Sequence, residues 1–268
     1  MKIIPLFPLL LLWCGAFCQT TSGFKVVKVS GSVISATLQR PLHTGDVIQR
    51  QEKLRFETKE AYLIVTSPQT GRKTISNVSE RAPLELFQLL ERFLRPEIKS
   101  TSTRHVSMQY IDELQNSMAG ESMLILGSGR IQVDNTKMSL SAPTAIKAWY
   151  TFQRKTSYRK ISDLEGFNLS ARYIFGDTIP QPIPKVMIEY FENEADDPLF
   201  NPGLLLAAFI PMFVDEDVLL TEVSALLSAT AATTPDQRKL EVARYLEDVY
   251  APVQPQNLTN WMKEKGLH

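Results

Sequence analysis

Between Phe24 and Ser76 the chain never sustains a β-type run for more than a few residues before a turn signal interrupts it. The runs are Phe24 to Val29, Ser32 to Leu38, Lys53 to Glu57, Tyr62 to Thr66 and Arg72 to Ser76. They are separated by Ser30-Gly31, Thr44-Gly45-Asp46 and Ser67-Pro68-Gln69-Thr70-Gly71. Gly allows left-handed backbone, while Pro and Asp favour reversal, so these runs are expected to form a small antiparallel barrel or sandwich that closes its own edges.

The segment before this region predicts a secretory signal peptide over Met1 to Cys18. Lys2 supplies the positive start, and Ile3 to Phe17 form an apolar core too short for a spanning helix. Ala16 and Cys18 would occupy the small positions before cleavage, leaving Gln19 first in the mature chain. An uncleaved anchor and acylation at Cys14 or Cys18 are the alternatives; the bulky Trp13 and Phe17 before those cysteines disfavour acylation. Both cysteines would leave with the leader, which excludes disulfides, thiol redox chemistry and Cys-ligated metals from the mature protein. An exported chain of this length that folds without covalent staples fits a bacterial envelope, in the periplasm, outside the cell or peripheral to the outer membrane. Three glycosylation tripeptides, at Asn77, Asn168 and Asn257, do not change that reading.

Composition narrows the function. With 29 basic and 29 acidic side chains, the chain lacks the electrostatic footprint of a nucleic-acid binder. At 44% hydrophobic it is too apolar for general disorder, yet no mature segment is a clear membrane span.

Gly31-Ser32-Val33, Leu42-His43-Thr44-Gly45-Asp46-Val47-Ile48, Leu54-Arg55-Phe56 and Ala61-Tyr62-Leu63-Ile64-Val65 follow one another in the order of a FecR-like periplasmic β-domain, and the Leu42 to Ile48 element also occurs in SH3-like barrels. The region resembles these domains over about a fifth of the chain. The resemblance implies an extracytoplasmic β-module used in signalling or protein contact.

The expected organisation is α+β: two small antiparallel β-barrel-like modules, residues 19–80 and 122–195, joined by a helical segment over 81–121 and followed by a helical C-terminal region from 196 to 268. A helix is expected from Pro83 to about Leu94, where Leu86, Leu89, Leu90 and Phe93 form a stripe and Pro96 stops it. A linker then runs from Glu97 to Arg104, and a second helix covers about Val106 to Met118. Met123–Leu126, Gly127-Ser128-Gly129 and Arg130–Val133 predict a hairpin. Further strands are expected at Ala145 to Phe152, Tyr158 to Ile161, Phe167 to Phe175 and Lys185 to Phe191. Leu204 to Val214 fits a buried strand or a short helix. Asp215 caps one helix, Thr234 and Gln237 form a capping box on another, and a third starts at Pro255.

The candidate chemistry is sparse. His43, His105 and His268 have no metal-ligand spacing, so no zinc site is expected. Gly127-Ser128-Gly129 lacks both the frame of a nucleophile elbow and the Lys of a phosphate loop. Glu192, Glu194, Asp196 and Asp197 suit a solvated loop, with calcium binding or paired-carboxylate hydrolysis as sharper alternatives. Trp149, Tyr150, Phe152, Arg154, Lys155, Tyr158, Arg159 and Lys160 interleave aromatic and basic side chains, as a sugar, peptide or single-strand platform does; the competing reading is strand core plus a basic outer face, in which a buried Trp149 puts Tyr150 outside. With no catalytic, cofactor-binding or metal residues assigned, the expected role is noncatalytic binding of another envelope or extracellular protein, or of a glycan. A carboxylate-dependent cell-wall or polysaccharide hydrolase and a FecR-like signalling component are the alternatives.

Overall fold

The short runs of the N-terminal half pair antiparallel, as their turns require. The computed structural model describes residues 23–76, 84–85 and 110–267. Strands β1 (Phe24–Ser30), β2 (Val33–Ser35), β3 (Arg40–Pro41), β4 (Val47–Ile48), β5 (Lys53–Phe56), β6 (Tyr62–Ser67), β7 (Gly71–Ser76) and β8 (Leu84–Glu85) build two four-stranded sheets, ordered β4-β1-β6-β7 and β3-β2-β5-β8. Phe24, Val26, Val33, Ile48, Leu54, Leu63, Val65 and Ile75 form one core shared by both sheets. Every residue from Leu63 to Ser67 is buried, because β6 is covered on both faces: Leu63 and Val65 face this core, and Ile64 faces another. A bulge between Val26 and Lys28 lets β1 serve both cores too, sending Val26 to the first and Val27 to the second.

Leu84–Glu85 corrects the start of the helix expected from Pro83: these two residues are a strand paired with Lys53 and Leu54 of β5, whose main chain needs a partner on that side. The remainder of that helix, the linker, the start of the second helix, the leader with Cys14 and Cys18, Asn77, His105 and His268 lie outside the described residues. Helix α1 (Tyr110–Ser117) leads with buried Leu114 and Met118 into the second half.

That half contains β9 (Ser122–Leu124), β10 (Arg130–Gln132), β11 (Ala145–Phe152), β12 (Lys155–Lys160), β13 (Gly166–Asn168), α2 (Ala171–Phe175), β14 (Val186–Phe191) and β15 (Leu204–Met212). The main sheet runs β12-β11-β14-β15-β9, antiparallel except where β9 lies parallel to β15; β10 and β13 form a separate pair. Ile146, Ala148, Tyr150, Val186, Ile188 and Phe209 pack one face of the sheet against Phe167, Ile174 and Phe175. The apolar run at Leu204 is a strand that extends this sheet.

Two expectations are corrected here. The Gly127-Ser128-Gly129 turn exists, closed by the Gly129 N–H on the Leu126 carbonyl at 2.9 Å, but its flanks do not pair as a hairpin. The first flank pairs with β15, and the second with β13, which approaches so closely that a Cβ on Gly166 would lie 2.0 Å from the Ile131 carbonyl oxygen. A turn sets the direction of reversal; which ladder forms depends on the faces available. The strand expected over Phe167 to Phe175 ends at Asn168, whose side chain accepts from the Ser170 N–H at 2.9 Å; α2 then directs Ile174 and Phe175 inward.

Helices α3 (Glu216–Ala229), α4 (Pro235–Val249) and α5 (Pro255–Glu264) begin as their caps dictate. The Asp215 carboxylate accepts from the Asp217 and Val218 N–H groups, and Thr234 and Gln237 complete a capping box. Leu219, Val223, Leu226, Val242, Tyr245, Leu246, Leu258 and Trp261 form a core that also takes in Val27 and Ile64 from the first half and Leu124 and Leu126 from the second. The three helices thus join the two β-regions. Asn257 makes one joint, its buried amide bonding both the N–H and the carbonyl of Leu126 at 2.9 and 2.8 Å. These bonds also exclude a glycan at Asn257 in the folded chain.

Glu222 makes the other joint. It is 2% exposed and receives Lys28 Nζ at 2.8 Å and the Tyr245 and Tyr250 hydroxyls at 2.6 Å each. Burial, followed by the bond to Glu222, pushes both phenols well above their ordinary pKa and keeps them protonated donors. Glu222→Gln leaves Lys28 without its counter-charge, and the expected loss is about 3 kcal/mol, read as a lower denaturant midpoint. An unchanged midpoint would mean that the network does not hold the halves together.

Candidate functional site

The aromatic and basic run divides between the two faces of the β11–β12 hairpin. Its turn is Gln153-Arg154, both left-handed with φ of 49° and 64°, the backbone that two-residue hairpin loops use. Neither residue is Gly or Asn, so this turn gave no sequence signal. Tyr150 is inside, its ring 5.0 Å edge-on from Phe175, and Phe152 packs partly on the same core. Trp149 lies half-buried on the opposite face beside Tyr158, its indole N–H buried without a hydrogen-bond partner. The alternation was legible, but the inward member of the pair is Tyr150. The structure therefore does not gather these aromatics into one platform; among them, Tyr158 stands out at 46% exposure.

The basic members stay together. β12 is the outer strand of its sheet. The Ile161 N–H donates to the Ile146 carbonyl at 2.9 Å, which sets the phase of the ladder: the main chains of Lys155, Ser157 and Arg159 face β11, and those of Thr156, Tyr158 and Lys160 face outward. Among the described residues no main chain pairs with that outer side. At its end Arg159, Lys160, Arg172 and Tyr173 line an open cleft of about 370 Å³. Arg172 and Tyr173 come from α2, where a strand was expected, so sequence reasoning missed them. The Arg159 guanidinium rests over Gly176, where a Cβ would come within 2.4 Å of Nη2.

The acidic group serves the neighbouring loop. Glu194 binds Lys160 at 2.7 Å, the Asp196 carbonyl accepts from Lys147 Nζ at 2.5 Å, Asp197 accepts from the Leu199 N–H, and Glu192 is exposed. Lys147 and Glu189 face each other across β11 and β14 and are both buried; Lys147 lies 4.9 Å over the Phe191 ring, and Glu189 accepts from the Gly203 N–H at 3.2 Å. Together they fasten the loop to the sheet. The only trace of this in the sequence is one lysine inside an apolar run. His43 is exposed, Ser128 sits on an exposed turn, and among the described residues no three His, Cys, Asp or Glu side chains converge as a metal site.

Beyond β12 the chain is held by Arg130, whose guanidinium binds Asp163 at 2.5 and 2.6 Å. That bond, aided by the Glu165 and Gly166 N–H groups, lowers the Asp163 carboxyl from 3.8 to about 2. Comparison with protein-family models, curated proteins and solved structures found no match.

A depressed carboxyl pKa stabilises the fold above the unfolded value and loses its effect as pH falls through the folded one. Asp163→Asn is therefore expected to lower stability slightly at pH 7, by about 1 kcal/mol or less because the carboxylate is largely exposed, read as a lower melting midpoint. The gap to wild type should close between pH 3.8 and about 2. A gap constant over that interval would show that the charge on Asp163 is not what stabilises.

Proposed function

We propose that this chain is an exported, noncatalytic binding module of the bacterial envelope that takes an extended segment of another protein onto the free edge of β12. The observation that carries the reading is the unpaired outer main chain of Thr156, Tyr158 and Lys160, beside an exposed Tyr158 and four cations on the same hairpin, Arg154, Lys155, Arg159 and Lys160. An open edge offers donors and acceptors in the spacing that strand addition uses. The positive side chains repel the β12 of a second copy and favour an acidic partner.

Location follows from the apolar leader over residues 1–18 and from the FecR-like character of residues 24–76. We read residues 19–80 as a barrel-like, SH3-type unit and 122–195, completed by β15, as a second β-module, each with an apolar core. Among the described residues no helix is long and apolar enough to cross a membrane. The hydrolase alternative gains no support from the acidic loop, where Glu194 is paired with Lys160 and Asp197 accepts from the Leu199 N–H.

Thr156→Pro removes one outward N–H and leaves the ladder to β11 in place, a position that edge strands tolerate. The full chain is expected to retain a stoichiometric partner from the native envelope fraction, and the variant to lose it while melting within a few degrees of wild type. Equal retention by both chains would reject strand addition.

A further inference from the structure

Among the described residues most arginines are matched. Arg40 meets Asp46 at 2.8 Å, Arg130 meets Asp163 at 2.5 Å, Arg72 pairs with Asp248, Arg55 meets Glu57 at 3.3 Å and Arg244 meets Glu241 at 3.6 Å. Arg159 and Arg172 differ: among the described residues neither guanidinium has a hydrogen bond or ion pair, yet one comes from β12 and the other from α2 to line the same cleft, with Tyr173 and the Glu194-paired Lys160 completing the lining. Like charges brought together without a counter-ion cost free energy unless an anion visits. Gly176 is part of the arrangement, since any side chain there would displace the Arg159 guanidinium.

We infer that this cleft is the specificity pocket of the β12 edge and takes the carboxylate of a Glu or Asp side chain on the added strand, an inference that rests on the strand-addition reading above. Arg159 is flanked by Tyr158 and Lys160, whose main chains face outward, so a residue added opposite Arg159 would project its side chain on the Arg159 face, with Cβ atoms about 5 Å apart. A carboxylate there meets two guanidinium groups, which bind planar oxyanions through paired N–H donors. Lys155 lies on the same face four residues earlier, with the small Ser157 between them. The partner segment is thereby defined as a β-strand with acids four residues apart on one face, one opposite Arg159 and one opposite Lys155. The chain as a whole carries no net charge, so its attraction for such a segment is local to this edge.

The test uses the full chain and two peptides carrying a neutral dye, Glu-Thr-Glu-Thr-Glu-Thr and its Gln-Thr counterpart, with binding read by fluorescence anisotropy at low ionic strength. The Glu peptide is expected to bind about tenfold more tightly than the Gln peptide. The double substitution Arg159→Ala/Arg172→Ala should bring the Glu peptide down to the level of the Gln peptide and leave the Gln peptide and the melting midpoint unchanged, since both side chains are exposed. Thr156→Pro should abolish both. Equal affinity for the two peptides would overturn the pocket and leave strand addition standing; no binding of either would overturn strand addition and the pocket with it. Inorganic phosphate displacing the Glu peptide while the Thr156→Pro variant still binds that peptide would identify a free-anion site and overturn the inference.

Discussion

The buried carboxylate of Glu222 is the interaction around which the two halves of this molecule are arranged. A charge this deep is unfavourable unless every lone pair is engaged, and here Lys28 comes from the first β-region while Tyr245 and Tyr250 come from the following helix and its end. The network can be completed only when β1, α3 and α4 are all in place. It therefore adds little to any one element and specifies their mutual position. Lys28 also lies 4.3 Å over the Tyr250 ring, so its stem and head are both held.

The bulge in β1 makes that contact possible. An unbroken alternation would send Val26 and Lys28 to the same face, placing a lysine toward the N-terminal core. The extra residue at Val27 resets the phase, so that Val26 stays in that core while Val27 fills the helical one and Lys28 reaches Glu222. On the far side the Asn257 amide replaces a missing strand for Leu126, and the Pro252 carbonyl accepts from the Leu124 N–H at 2.8 Å. The helical region is bonded to both β-regions by main-chain and buried polar contacts that apolar packing alone would not orient. The edge of β12 lies away from these joints, at the opposite end of the sheet from β9, where a partner can be accepted without disturbing them.

Much of the local structure was legible. Ala145–Phe152 is the strand its alternation described, Asp215 and the Thr234–Gln237 box open helices where their side chains satisfy free N–H groups, and the short N-terminal runs pair antiparallel. What was not legible depends on partners distant in sequence. Gly127-Ser128-Gly129 looked like a hairpin because turns report direction and not pairing. Phe167 to Phe175 looked like one strand because its apolar content says nothing of the Asn168 side chain that ends it. Glu222 occupies a stripe position of α3 between Leu219 and Val223, where a sequence reading has no cause to expect a buried acid.

The candidate site divides in the same way. The sequence by itself determined that Tyr158, Arg159 and Lys160 lie on one short strand near the Ala145–Phe152 strand, because propensity and alternation are local facts; that this strand begins at Lys155 after a Gln153-Arg154 turn was not legible. Only the tertiary structure decided that this strand lies at an edge, that Tyr150 turns inward and that Arg172 joins Arg159 at one cleft. The physical reason is that secondary structure is set by contacts within a few residues, whereas edges, faces and unpaired charges are properties of the assembled sheet.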